Sequence, residues 1–226
     1  MKQNFWTKIP IVTTVLVGFN ICVWIFLEAT GDSNDTLFMV EHGASFLPYI
    51  VYEGEWWRLF TSMFLHFGSE HLCNNMLMLG LMGPRLEHVL GSVRFGVLYV
   101  LSGLSGSLLS LYQEMRAEEF AVSAGASGAV FGVVGGLLAW AVLNKGKVEG
   151  LTTRGLLVMA ALSLYYGFST AGVDNWGHIG GILGGFLLGV IFAVFSKIID
   201  FGKGKQYTKD VESQTQNSLD GGNHED

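Results

Sequence analysis

Long runs without a single charged side chain constrain this sequence more than any other feature. Residues 9–27, 95–113, 120–144, 155–173 and 175–196 contain no Asp, Glu, Lys or Arg, and each is 19 to 25 residues long. A helix needs about 20 apolar residues to cross a bilayer, and only a helix satisfies its own backbone there within one segment. A sixth apolar run, 72–84, is shorter, but it begins at His71 and continues through Arg85 and Glu87 to Leu90. It reads as a polar span with a function, because ionisable groups are costly at that depth. A soluble fold would have to wrap six all-apolar helices with very little polar surface. Only 14% of residues are charged and half are hydrophobic, where soluble domains carry about a quarter charged. The expected fold class is therefore an all-α membrane protein, a bundle of six transmembrane helices over residues 9–198.

The formal charge of −6 matters less than where the charges lie. With a cytoplasmic amino terminus, the inner segments hold eleven basic residues (Lys2, Lys8, Arg85, Arg94, Lys145, Lys147, Arg154, Lys197, Lys203, Lys205 and Lys209). The outer segments hold only Arg58 and Arg116. This positive-inside asymmetry orients the chain, and an even number of spans returns the basic tail to the basic side. Both termini are expected in the cytoplasm, and the compact loops point to a bacterial plasma membrane. The first apolar run ends in Trp24-Ile25-Phe26-Leu27, where a signal peptidase would need small residues, so it reads as a retained span. Residues 1–8 form a basic cytoplasmic lead, and 199–226 form a polar tail with too few apolar residues to fold. Residues 28–70 are the longest connection, and their many aromatics suit a loop lying on the membrane surface. Cys22 and Cys73 fall within apolar spans as small hydrophobes.

Glycine adds a second pattern. Gly128, Gly132 and Gly136 repeat every four residues in the fourth span, as do Gly177, Gly181, Gly185 and Gly189 in the sixth. Such stripes let backbones approach where lipid supplies no hydrophobic force between helices. Helix packing alone explains the stripes, though not the polar residues beside them. Ser127 precedes the first stripe, and His178 shares a helix face with Gly181 and Gly185. Ser127 lies 18 residues before Lys145, and His178 lies 19 before Lys197. At about 1.5 Å per residue both stand roughly 27 to 29 Å above the inner boundary. A serine hydroxyl becomes a useful nucleophile only beside a base, so a meeting of the two has a chemical use. A helix beginning near Ser127 would also aim its amino-terminal dipole at an oxyanion formed there. His71 and Asn75, four residues apart on one face of the second span, are both hydrogen-bond donors, and Asn is a common oxyanion donor.

These elements together resemble the rhomboid family of intramembrane serine proteases. The likeness lies in His71-x-x-x-Asn75, Gly125-x-Ser127-Gly128 and His178-x-x-Gly181-x-x-x-Gly185, with Trp57-Arg58 and Glu87-x-x-x-Gly91 as supporting features. The resemblance implies Ser127 as nucleophile, His178 as general base, and His71, Asn75 and the Ser127 backbone amide as the oxyanion hole. It needs neither a third carboxylate nor a cofactor, and it implies no metal site. Phe131 stands where many members have a tyrosine, and its ring can still pack on His178; Gly125 and Gly181 support the site. His66 reads as structural or as lining the entrance. The expected partners are the bilayer and membrane-protein substrates cut near the outer end of a transmembrane segment, with no nucleic acid.

Two other functions compete with this reading. A metalloenzyme would draw on His66, Glu70 and His71, but their spacing is not that of a zinc-protease helix. A catalytically silent rhomboid-like binder would typically lack the serine or the histidine, and this chain has both.

Overall fold

A computed structural model describes residues 9–118 and 120–196. The expectations for the lead and for the tail beyond 198 lie outside the described residues. The described residues up to Val190 belong to one compact unit, and Ile191 to Ser196, the end of the last helix, fall in a second.

In chain order the elements are α1 (Ile11–Thr30), α2 (Thr36–Glu41), β1 (Ser45–Phe46), α3 (Leu47–Val51) and α4 (Arg58–Thr61), then a 3-10 turn (Ser62–Phe64). They continue with α5 (Gly68–Leu90), α6 (Ser92–Ala117), β2 (Val122–Ser123), α7 (Ser127–Leu143), β3 (Lys147–Val148), β4 (Leu151–Thr152) and α8 (Thr153–Phe168). The last helix, α9, spans Asn175–Ser196. Six helices thus occupy the six expected positions. By length and composition three of them, α1, α6 and α9, can each cross a membrane, and α7 is a shorter apolar helix. The chain is an integral membrane protein that is mostly helical, and the count of six spans goes beyond what helix length decides.

The fourth helix begins at Ser127, as expected for its regular part. The uncharged residues before it include β2, which pairs antiparallel with β1, setting Ser45 opposite Ser123 and Phe46 opposite Val122. The fifth helix ends at Phe168 rather than at 173. The first connection folds into three short helices around Arg58. That guanidinium is buried, bonds the Val40 carbonyl at 2.5 Å, the Ala44 carbonyl at 3.1 Å and Glu55 at 2.5 Å, and lies over the Tyr49 and Trp57 rings. A buried charge is tolerated when its donors are spent in this way.

Another buried charge ties α1 to α5. The Glu87 carboxylate accepts from the backbone N–H groups of Val12 and Thr13 at 2.9 and 2.8 Å, from the Thr13 hydroxyl at 2.7 Å and from the Ser92 hydroxyl at 2.6 Å. It satisfies orphan donors at the start of α1, which has no side-chain cap. Gly91, at φ +79°, ends α5 and turns the chain into α6.

The two glycine stripes form a ladder between α7 and α9. A methyl group on Gly181 would run into the Gly128 carbonyl, one on Gly185 into that of Gly132, and one on Gly189 would lie 3.0 Å from the Gly136 Cα. The rungs ascend together, so the helices run parallel with backbone on backbone. The third partner is α6, whose Gly106 faces the Gly177 carbonyl and whose Ser105 hydroxyl donates to the Gly180 carbonyl at 3.0 Å.

Candidate active site

Ser127 is the first residue of α7, and what precedes it explains why the helix starts there. Gly125 takes φ +144°, a conformation open to glycine, and its N–H donates to the Ser62 carbonyl at 2.9 Å. The next N–H, of Ala126, donates to His66 Nε2 at 3.3 Å. His66 lies in the connection before α5, is fully buried, and has its pKa pushed down to about 3 by burial, with the neighbouring His71 adding to the effect. The ring is therefore neutral and can accept at Nε2. Sequence reading had treated His66 as structural or as lining the entrance; it is a support for the turn that presents Ser127.

The His71 ring lies against Gly125. A Cβ on that glycine would sit 2.7 Å from His71 Cε1 and 3.7 Å from Ser127 Oγ, so the missing side chain lets the imidazole reach the serine's neighbourhood. The His66 and His71 rings meet edge to face at 5.2 Å. Asn75, one turn further along α5, is buried and donates through Nδ2 to the His71 carbonyl at 3.1 Å. An amide carries two such protons, so one remains for another acceptor.

His178 is in the first turns of α9, 8% exposed, with Nδ1 buried and lacking a hydrogen-bond partner. The Phe131 ring stacks on it at 4.2 Å with an interplanar angle of 19°. The Gly128–Gly181 rung follows Ser127 by one residue and His178 by three. No hydrogen bond joins these two side chains in this structure; both face a cleft of about 1020 Å³ that His71, Asn75, Phe131 and Asp174 also line. Catalytic contacts are often loose until substrate binds. The cleft continues between α5 and α8, past Leu77 and Met78 on one side and Met159 and Leu162 on the other. Behind Ser127 is a small cavity of about 40 Å³, lined by Ser45, Ser62, Ser107, Ser110, Ser123 and Asp174, among others.

Among the described residues, no group of three or more His, Cys, Asp or Glu side chains is placed to hold a metal ion. Sequence reasoning missed one acidic residue at the site. That residue is Asp174, four residues before His178. The signal was available as Asp174-x-x-Gly177, an acceptor three residues ahead of the N–H that it caps.

The family model described as Rhomboid domain matches residues 53–195. Rhomboid protease GluP of Bacillus subtilis is 37% identical over 177 residues, 78% of this chain and 34% of that protein. RHOMBOID-like protein 5 of Arabidopsis thaliana is 44% identical over 146 residues, 63% of this chain and 46% of that protein. A second Bacillus subtilis protein, YdcA, is 31% identical over 193 residues, 82% of this chain and 92% of its own length. The chain thus spans between a third and a half of the first two relatives and nearly the whole of the third.

Proposed function

The chain belongs to the rhomboid family, and from that premise we propose that it is an intramembrane serine endopeptidase working through a Ser127–His178 dyad. The observation that carries the reading is the convergence of Ser127, His178, His71 and Asn75 on one cleft, with the base's ring held flat against Phe131.

In the reaction, Ser127 Oγ attacks the scissile carbonyl carbon while His178 takes the hydroxyl proton. The oxyanion accepts from the Ser127 backbone N–H, free at the first position of α7, and from His71 and the spare Asn75 proton. Collapse breaks the C–N bond, and His178 passes its proton to the leaving amine. Water, deprotonated by His178, then attacks the acyl ester and releases Ser127. Phe131 keeps the imidazole in plane by stacking and adds no hydroxyl contact.

The substrate is a membrane protein, cut near the outer end of a transmembrane segment. Its helix enters from lipid along the apolar walls of α5 and α8. A peptide in lipid stays helical because each unsatisfied backbone group costs several kcal/mol there. Attack therefore requires unwinding, which helix-breaking residues ease by about 1 kcal/mol for Gly and about 3 kcal/mol for Pro. A small residue at the cut suits the glycine-lined site. Six spans, both termini in the cytoplasm, a site open to the outside and a bacterial plasma membrane complete the proposal, supported by the eleven-to-two distribution of basic residues.

The test is labelling with a fluorophosphonate probe in membranes. The native chain is expected to label and Ser127→Ala to stay dark; label on the alanine variant would remove Ser127 as nucleophile.

A further inference from the structure

The dyad leaves Asp174, which lines the site, without a task. Asp174 stands immediately before α9, half-buried, and lines both the large cleft and the small serine-lined cavity. Its Oδ1 accepts the Gly177 N–H at 2.7 Å, and its Oδ2 accepts from the Ser123 hydroxyl at 3.3 Å. Its own carbonyl accepts the His178 N–H at 3.1 Å. Space for the carboxylate exists because residue 177 is glycine: a Cβ there would lie 2.6 Å from Asp174 Oδ2.

The placement of this link is informative. Ser123 is four residues before Ser127, and Asp174 is four before His178. The Ser123–Asp174 bond therefore joins the same two chain segments as the dyad, one step further out. On the inner side those segments meet at the Gly128–Gly181 rung, a contact of backbone surfaces that sets how close they come. Van der Waals contact between smooth glycine faces resists sliding and rotation weakly, whereas a hydrogen bond falls off steeply with angle and distance. Ser123 is fixed in turn by β2, whose partner β1 comes from the first connection.

We propose that Asp174 is a positioning residue, which through Ser123 and Gly177 locks the start of the base's helix to the segment that presents the nucleophile. The proposal rests on the dyad reading above. Its consequence is specific: loss of the link lowers turnover, because reacting groups held within a fraction of an ångström lose rate when allowed to wander, while substrate binding along α5 and α8 is untouched.

The test measures kcat and KM of the full chain in membranes on a transmembrane reporter substrate. Asp174→Ala is expected to lower kcat on the order of tenfold, the rate equivalent of about one hydrogen bond, with KM unchanged. Asp174→Asn restores most of the loss, since its amide oxygen still accepts from Gly177 and its amide group still bonds the Ser123 hydroxyl. Ser123→Ala slows turnover alone but adds nothing to Asp174→Ala, as expected for two ends of one bond. The proposal is overturned if Asp174→Asn is as slow as Asp174→Ala, if the Ser123 and Asp174 losses multiply, or if the loss appears in KM. Should Asp174→Ala fail to fold, Ser123→Ala decides alone, and native kcat in that variant overturns the link. Turnover surviving Ser127→Ala would refute the dyad itself, a result separate from any of these.

Discussion

Helices α7 and α8 are consecutive in the chain, similar in length and both largely apolar, yet they are held in opposite ways. Ten residues of α7 are buried, glycines and alanines prominent among them, and its backbone rests on that of α9. Only Leu156 and Gly167 are buried in α8, which presents Leu157, Leu162, Tyr165 and Tyr166 outward. The lesson is a division of labour. Where α7 meets α9, beside Ser127 and His178, the packing leaves no room for a methyl group on Gly181 or Gly185, while α8 lines the cleft with side chains that are mostly exposed or half-buried. In the proposed mechanism the first kind of packing holds the dyad and the second admits a substrate helix.

Substitutions can break or sharpen that contrast. The largest effect is expected at the dyad: Ser127→Ala and His178→Ala each abolish cleavage of a reporter substrate, and the double variant is no worse, because the two act as one unit. Asn75→Ala should lower kcat on the order of 10²-fold, as loss of one oxyanion donor does; an unchanged rate would take Asn75 out of the site. In the packed half, Gly185→Ala drives a methyl into the Gly132 carbonyl and should lower stability by about 1–3 kcal/mol, measured by thermal unfolding in detergent.

The turn before Ser127 has a pH signature of its own. His66 is held neutral, its folded pKa of about 3 lying below the usual 6.5. The unfolded chain therefore binds a proton that the folded one refuses as pH falls. The stability from neutral His66 is complete above about 6.5, declines below it and is gone near 3. Thermal unfolding across that window should show the decline, and His66→Gln, which cannot titrate, should flatten it. The smallest effect belongs to the open half: Leu157→Ala on α8 should alter stability by no more than about 0.5 kcal/mol, and a large loss there would erase the contrast with α7.

What was legible in the sequence followed from local rules. Uncharged runs marked the helices because a bilayer tolerates little else, and the four-residue glycine spacing marked α7 and α9 as partners because one turn of helix has that period. The spacing of His71 from Asn75 and of His178 from Gly181 placed each pair on one face for the same reason. The sequence by itself thus determined a helical membrane protein of the rhomboid family and which residues stand beside its glycine stripes. Tertiary structure alone decided that β1 pairs with residues 122–123, across a separation that no local pattern reports. It also decided that His66 supports the turn before Ser127 from 60 positions away and that Asp174 reaches Ser123 across 51. Such bonds depend on which segments the folded chain brings side by side, and no local spacing carries that information.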